Sequence, residues 1–266
     1  MIQEIKIDTL EGLMPLMVEQ EYRPDLRRNR NNYLYRGMSD VSFPMVTSLS
    51  RNCKQLQQRL EPAILENYAK YAVINDPSIA ASVWHQMISG QHNGLPTRLL
   101  DWSHSALVGL HFAMSEDSLE DMNSHDCLVW RIDMNELYSL LPAKYQNAIL
   151  PTQSTIFSVD TLSGITGSLR QYDEDMGDNA MVIIEPPSIN QRIVNQYSFF
   201  SVVPMQMTDI EGFLDRRTHN TVKYIISKDL RWRVRDMLDQ LNMSERTIFP
   251  GLDGLSRWIA RHYFVR

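Results

Sequence analysis

The chain is poor in cysteine. Cys53 and Cys127 are the only two among 266 residues. Two thiols so far apart build no disulfide framework, and no Cys-x-x-Cys or Cys/His cluster offers a zinc site. They read as two small buried hydrophobes. The seven histidines (His85, His92, His104, His111, His125, His219 and His262) show no ligand spacing, so no metal is expected. Also missing is any apolar run of the roughly 18 residues that a membrane span needs. Met1 to Leu10 alternates charged and apolar residues, without the apolar core of a signal peptide. The expected location is therefore the cytoplasm, away from membranes. With no internal repeat, low-complexity tract or linker, the expectation is a single domain over residues 1–266.

What is present is an ordinary core and an uneven charge. The hydrophobic fraction is 43% and the net charge −6. Residues 21–60 carry eight bases against three acids, residues 116–185 thirteen acids against three bases, and residues 205–266 eleven bases against eight acids. Two basic ends flank an acidic middle. A basic face attracts the phosphates of a nucleotide or nucleic acid, and solvated surface gives the same pattern. The acidic middle can meet a basic partner.

The periodicity mixes helices and strands. Tyr33 to Arg36 reads as a strand that ends in a turn at Gly37. Residues 54–74 have helical spacing, and Ser78 reads as the N-cap of a second helix running to Met87. Gln91 to Asp101 holds Gly94 and Pro96 and reads as a loop, followed by a buried helix within 103–115. Strands are expected at 128–132, 180–184, within 193–203 and at 222–227, and helices at 229–242 and 256–262. Residues 133–180, rich in turn residues and acids, read as a lid or interaction region, with Asp173 to Asp178 as a surface loop. Without a strict βαβ rhythm the fold class is α+β.

Two stretches concentrate chemistry. One is Leu34-Tyr35-Arg36-Gly37-Met38-Ser39-Asp40, followed by Pro44 and Thr47 to Arg51. The other is Gln91-His92-Asn93-Gly94-Leu95-Pro96-Thr97-Arg98-Leu99-Leu100-Asp101-Trp102, which puts amide, imidazole, hydroxyl, guanidinium and carboxylate groups into one loop. Arg36 reads either as a ligand-binding group or as half of an ion pair with Asp40 or Asp101. Arg98 with Asp101 reads either as a site pair or as a buried brace.

These stretches resemble the FRG-domain family. Tyr35 stands where that family usually has phenylalanine before Arg36-Gly37, and the second stretch is similar to its most diagnostic segment. Arg192-Ile193 with Gln196 and Phe199, and Ile248 to Leu255, extend the similarity from about Tyr33 to Trp258. Tyr197-Ser198 stands where a glycine is expected near Gln196. The resemblance implies a relation to the ADP-ribosyltransferase fold, with two small β-sheets around a cleft and flanking helices. It implies NAD as substrate. Tyr35, Arg36, Gly37, Gln91, Thr97 and Arg98 are then the NAD-binding candidates, and His92, Asp101 and a late-strand Gln196 the catalytic ones. Arg36 would grip phosphate or the adenosine ribose, and Gly37 would let the backbone approach the ligand. Gln91 and His92 would bind ribose hydroxyls or the nicotinamide amide. Asp101 would orient Arg98 or His92, or act as a base. The implied function is a toxin-like mono-ADP-ribosyltransferase of anti-phage defence, neutralised by an antitoxin protein. Its acceptor is nucleic acid or protein, and Tyr22, Tyr33 and Tyr35 among the N-terminal bases favour RNA. The alternatives are a non-enzymatic nucleotide-sensing module and an NAD glycohydrolase.

Overall fold

In the computed structural model, residues 1–265 are described except Glu19, Asp117, Gln153, Ile189 and the side chain of Thr152. Ten strands form: β1 (Gln3–Ile7), β2 (Glu21–Arg23), β3 (Arg28–Arg30), β4 (Tyr33–Met38), β5 (Leu99–Ser103), β6 (Cys127–Asp133), β7 (Phe157–Ser158), β8 (Val182–Glu185), β9 (Ser198–Val202) and β10 (Val222–Ile226). Eight of them make one sheet in the order β1-β10-β6-β4-β5-β9-β8-β7, while β2 and β3 form a separate ribbon. Among the described residues only β1–β10 and β7–β8 pair in parallel. The fold class is α+β.

The expectation of two separate small sheets is corrected to one hydrogen-bonded sheet with a weak seam. β4 pairs with β6 along its whole length, and β5 does the same with β9. Between β4 and β5 the register holds only one pair, Tyr35 opposite Ser103. Each half therefore bonds inwardly and parts from the other beyond that pair.

The pleat explains where the cores sit. Successive side chains leave opposite faces of a strand. Leu34 and Met38 of β4, Leu100 and Trp102 of β5, and Trp130 of β6 share one apolar cluster that runs under both halves. On the opposite face the core is divided. Tyr33, Tyr35 and Val129 pack with helices Ala106–Ala113 and Arg231–Gln240. Leu99, Val182 and Phe200 pack with helices Gln57–Ala72, Val83–His92 and Leu169–Met176. The seam lies between these two clusters.

Several local expectations change. β4 continues through Gly37 to Met38. Ser78 lies in a short 3-10 turn capped by Asp76, and the following helix starts at Val83 with Ser82 as its cap. The hydroxyl of Ser82 accepts the free amide of the first turn, which is what an N-cap supplies. Residues 133–180 are not a turn-rich loop: they hold helices Met134–Ser139, Ala143–Ile149, Val159–Ile165 and Leu169–Met176, and bury Tyr145, Leu162 and Tyr172. Asp173, expected on a surface loop, is buried. Cys127 is buried as expected, whereas Cys53 is half-buried.

Candidate functional site

The seam opens into a cleft of about 290 Å³ lined by residues of both sheet halves. Tyr35, Arg36 and Gly37 come from β4, and Asp101, Trp102 and Ser103 from β5. Gln91 closes one side from the end of helix Val83–His92. Arg192, Gln196 and Ser198 close another, with Phe112 at the rim. A second hollow of about 640 Å³ shares Arg36, Gly37 and Phe112 with it and adds Ser50, Arg51 and Lys54. The two volumes lie in the range of small-molecule sites.

Arg36 spans the seam. Its Nη1 donates to the main-chain oxygen of Asp101 at 2.8 Å and lies 3.8 Å from that residue's carboxylate. Its Nε is buried with no hydrogen-bond partner among the described residues. A guanidinium with a buried unused donor is incompletely satisfied by the protein. Burial holds Arg36 below its usual value; Asp101 opposes this and Arg51 adds to it. The expected pairing with Asp40 does not form, since Asp40 accepts from the Ser42 amide and faces His125.

Asp101 is held by a relay. The hydroxyl of Thr97 donates to Gln91 Oε1 at 2.5 Å, which fixes the amide so that Gln91 Nε2 donates to Asp101 Oδ2 at 2.9 Å. The Thr97 oxygen in turn accepts from the Leu99 amide. The Asp101 side chain remains 61% exposed toward the cleft mouth, so it is oriented and still reachable. Thr97 itself is buried and does not line the cleft. Its amide and carbonyl are bonded to Ser48, which ties the loop to helix Ser48–Cys53. Gly94, at φ +84°, supplies the left-handed residue that ends helix Val83–His92 and lets the Leu95 amide return to the Gly90 carbonyl.

His92 lies beside this relay, outside the cleft lining. Asn190 caps helix Gln191–Asn195 through its Oδ1, so its amide nitrogen faces His92 Nε2 at 2.7 Å and donates. The imidazole proton then sits on Nδ1. Burial lowers the pKa of His92, Arg192 lowers it further, and Asp101 opposes them.

The remaining candidates separate. Arg98 does not meet Asp101: it is buried in an ion pair with Glu61 and another with Asp173 at 2.5 Å. It braces helices Gln57–Ala72 and Leu169–Met176 against the loop. Gln196 is not on a strand. It ends helix Gln191–Asn195, its Nε2 donates to the Ile248 carbonyl at 3.3 Å, and its main-chain oxygen accepts from Ser103. Gly37 lines the cleft and is also required by packing, because a Cβ there would overlap the Gly109 carbonyl and the Ala113 nitrogen of the helix lying on β4. Tyr33 and Tyr35 are buried, so of the three tyrosines only Tyr22, 61% exposed, can reach a base.

Arg192 is the cleft residue that sequence reasoning passed over, although it opens the late Arg-Ile motif. Its guanidinium lies 5.0 Å from the Phe249 ring centroid. Ser103 and Ser198 carried no signal of their own, while Arg51 and Lys54 belong to the basic segment 21–60 and Arg51 also closes the first stretch. Among the described residues no group of three or more His, Cys, Asp or Glu side chains can hold a metal ion, and no helix is long and apolar enough to cross a membrane.

No curated protein and no solved structure matches the chain. Residues 31–122, which contain both Arg36 and the Gln91–Asp101 relay, match the family model of the FRG domain. That segment is therefore similar to the FRG domain.

Proposed function

We propose that the cleft binds NAD and transfers its ADP-ribose to an acceptor. The carrying observation is the seam itself, where the under-satisfied Arg36 and the cation of Arg192 share a cleft with one oriented, exposed carboxylate, Asp101. Two guanidiniums suit a pyrophosphate. The Gln91 amide, Ser103 and Ser198 suit ribose hydroxyls and a carboxamide.

The step balances as a substitution. The bond between the nicotinamide nitrogen and ribose C1′ breaks, and its electron pair leaves with neutral nicotinamide. Positive charge grows on the ribose, and Asp101 is placed to stabilise it. An acceptor oxygen or nitrogen forms the new bond to C1′, and its proton passes to Asp101 or to water. Gln196 takes no proton in this scheme. In the same reading the protein is a cytoplasmic, toxin-like effector of anti-phage defence with an antitoxin partner. The acceptor is nucleic acid, RNA favoured, or protein.

A second reading, a nucleotide-sensing module without turnover, gains from the position of Gln196. Among the described residues no second acid lines the cleft beside Asp101, and Glu185 on β8 is not in its lining. Incubation of the pure protein with NAD labelled in the adenylate, alone and with total RNA, single-stranded DNA or lysate protein, separates the readings. Label carried onto a polymer establishes the transferase. Nicotinamide release without transfer makes it a glycohydrolase. Binding without release leaves the sensor.

A further inference from the structure

Beside the cleft lies a cationic face of which the transfer step uses only Arg192. It is built by helices Glu245–Ile248 and Leu252–His262, which follow the Gln196 contact to Ile248. The Arg257 guanidinium sits 5.6 Å from the Phe249 ring centroid, on which Arg192 also lies. The Arg246 guanidinium sits 4.8 Å from the Trp258 ring centroid. A guanidinium over an aromatic face is held by its attraction to the ring while its donors stay available.

The charges on this face are not spent within the protein. Arg192, Arg246 and Arg257 form no ion pair with a carboxylate among the described residues. The nearest acid on helix Glu245–Ile248, Glu245, is taken by two bonds from Arg261. Asp253, on helix Leu252–His262, pairs with none of the three. Three arginines without a carboxylate partner among the described residues thus stand on neighbouring helices, one of them in the cleft, in a protein of net charge −6. Arg192 belongs to both the face and the cleft, so whatever the face holds is delivered to the seam.

We infer that this face docks a single-stranded nucleic acid, the acceptor in the transfer reading on which this inference rests. Arg246 and Arg257 neutralise successive phosphates, and the arginine–aromatic pairs give unstacked bases a flat surface. A duplex hides its base faces and would use only the charges. An acidic peptide would use the charges without the rings.

The test is anisotropy of a fluorescein-labelled oligo-uridylate on the whole protein, without NAD, over a range of salt. The wild type is expected to bind, with affinity falling as salt rises. Arg246→Glu with Arg257→Glu is expected to lose at least tenfold and to flatten the salt dependence by about 0.7 in log–log slope per phosphate contact removed. The Gln pair should show a smaller loss of the same kind. Both residues lie outside the cleft, so nicotinamide release from NAD without acceptor should not change, and that assay reports on the transfer reading separately. Folded variants that bind as the wild type does would overturn the inference. Tighter binding of an RNA duplex, or equal competition by polyglutamate, would overturn it too.

Discussion

Arg36 Nη1 donates to the main-chain oxygen of Asp101 at 2.8 Å across the gap where β4 and β5 lose register. One hydrogen bond thus joins two sheet halves where a ladder would otherwise continue. It also sets a cation beside the carboxylate that Gln91 orients. The guanidinium has two tasks there, of very different size. A bond to a partly exposed group contributes about 1 kcal/mol to stability, while charged contacts to a bound phosphate are worth about 1.5–3 kcal/mol.

Arg36→Ala should therefore lower stability little and weaken NAD binding by about ten- to a hundredfold. Arg36→Lys should rescue little, because an ammonium cannot reach the carbonyl and a phosphate with one planar fork. Calorimetric titration with NAD, beside a thermal melt, measures both effects. Unchanged affinity in a folded Ala variant would remove Arg36 from the site.

The two glycines of the motifs should respond to different degrees. At Gly37 a Cβ meets backbone atoms of the helix Ala106–Ala113 that cannot move aside, with the Phe112 carbonyl carbon at 3.0 Å as the mildest contact. Gly37→Ala should cost about 3 kcal/mol by overpacking. Gly94 has open space around its Cβ position and only a φ of +84° to resist substitution, so Gly94→Ala should cost about 1 kcal/mol. Paired thermal melts decide it, and equal losses would contradict the packing account.

Much of this was legible in the residues. β4, the buried helix after Ser105 and the strand around Val129 follow from apolar spacing, whereas Gln91–Asp101, read as one loop, is a loop only in its middle: Gln91 and His92 end helix Val83–His92 and Asp101 lies on β5. The relay Thr97–Gln91–Asp101 joins residues close in sequence, so one stretch contained it. What was illegible depends on distant partners. Nothing near Arg98 announces Glu61 and Asp173, which come from two helices, one of them in the segment read as a lid. Turn-rich composition hid four short helices there because each is capped by the polar or proline residues that also mark loops. The tyrosine in place of the expected glycine is a further case. Tyr197 adopts φ +46°, the region that glycine enters freely, so the backbone keeps the shape while the residue differs.

The triad of Arg98, Glu61 and Asp173 should prove structural. Removing one partner of a buried pair leaves an uncompensated charge and costs about 3–5 kcal/mol. Glu61→Ala leaves Arg98 paired with Asp173 but strips the partners from its buried Nε and Nη2, so it should lose about 3 kcal/mol in urea unfolding, and Glu61→Gln somewhat less. Nicotinamide release per folded molecule should stay as in the wild type. Lost activity at unchanged stability would return Arg98 to the NAD site.

His111 should make stability depend on pH in a definite window. Its ring is fully buried, and its Nδ1 accepts from Arg235 Nη1 at 2.9 Å, which leaves no room for a second proton beside that cation. Burial, then Arg235, pushes its pKa from 6.5 down to about 4, with Glu245 opposing. As pH falls, the unfolded chain takes the proton first. The stabilisation is therefore complete above pH 6.5, is lost as pH falls toward about 4, and changes no further below that. A shift of this size corresponds to about 3 kcal/mol. Glu245, held down to about 2 by Arg261 and Arg235 against the effect of its own burial, adds a second loss below pH 4.5. Urea midpoints between neutrality and pH 4 should fall in the wild type. In His111→Gln, which cannot titrate, that upper slope should shrink to what His92, also lowered by burial, contributes, while the lower one persists. An unchanged slope in the variant would mean that another group carries the acid sensitivity.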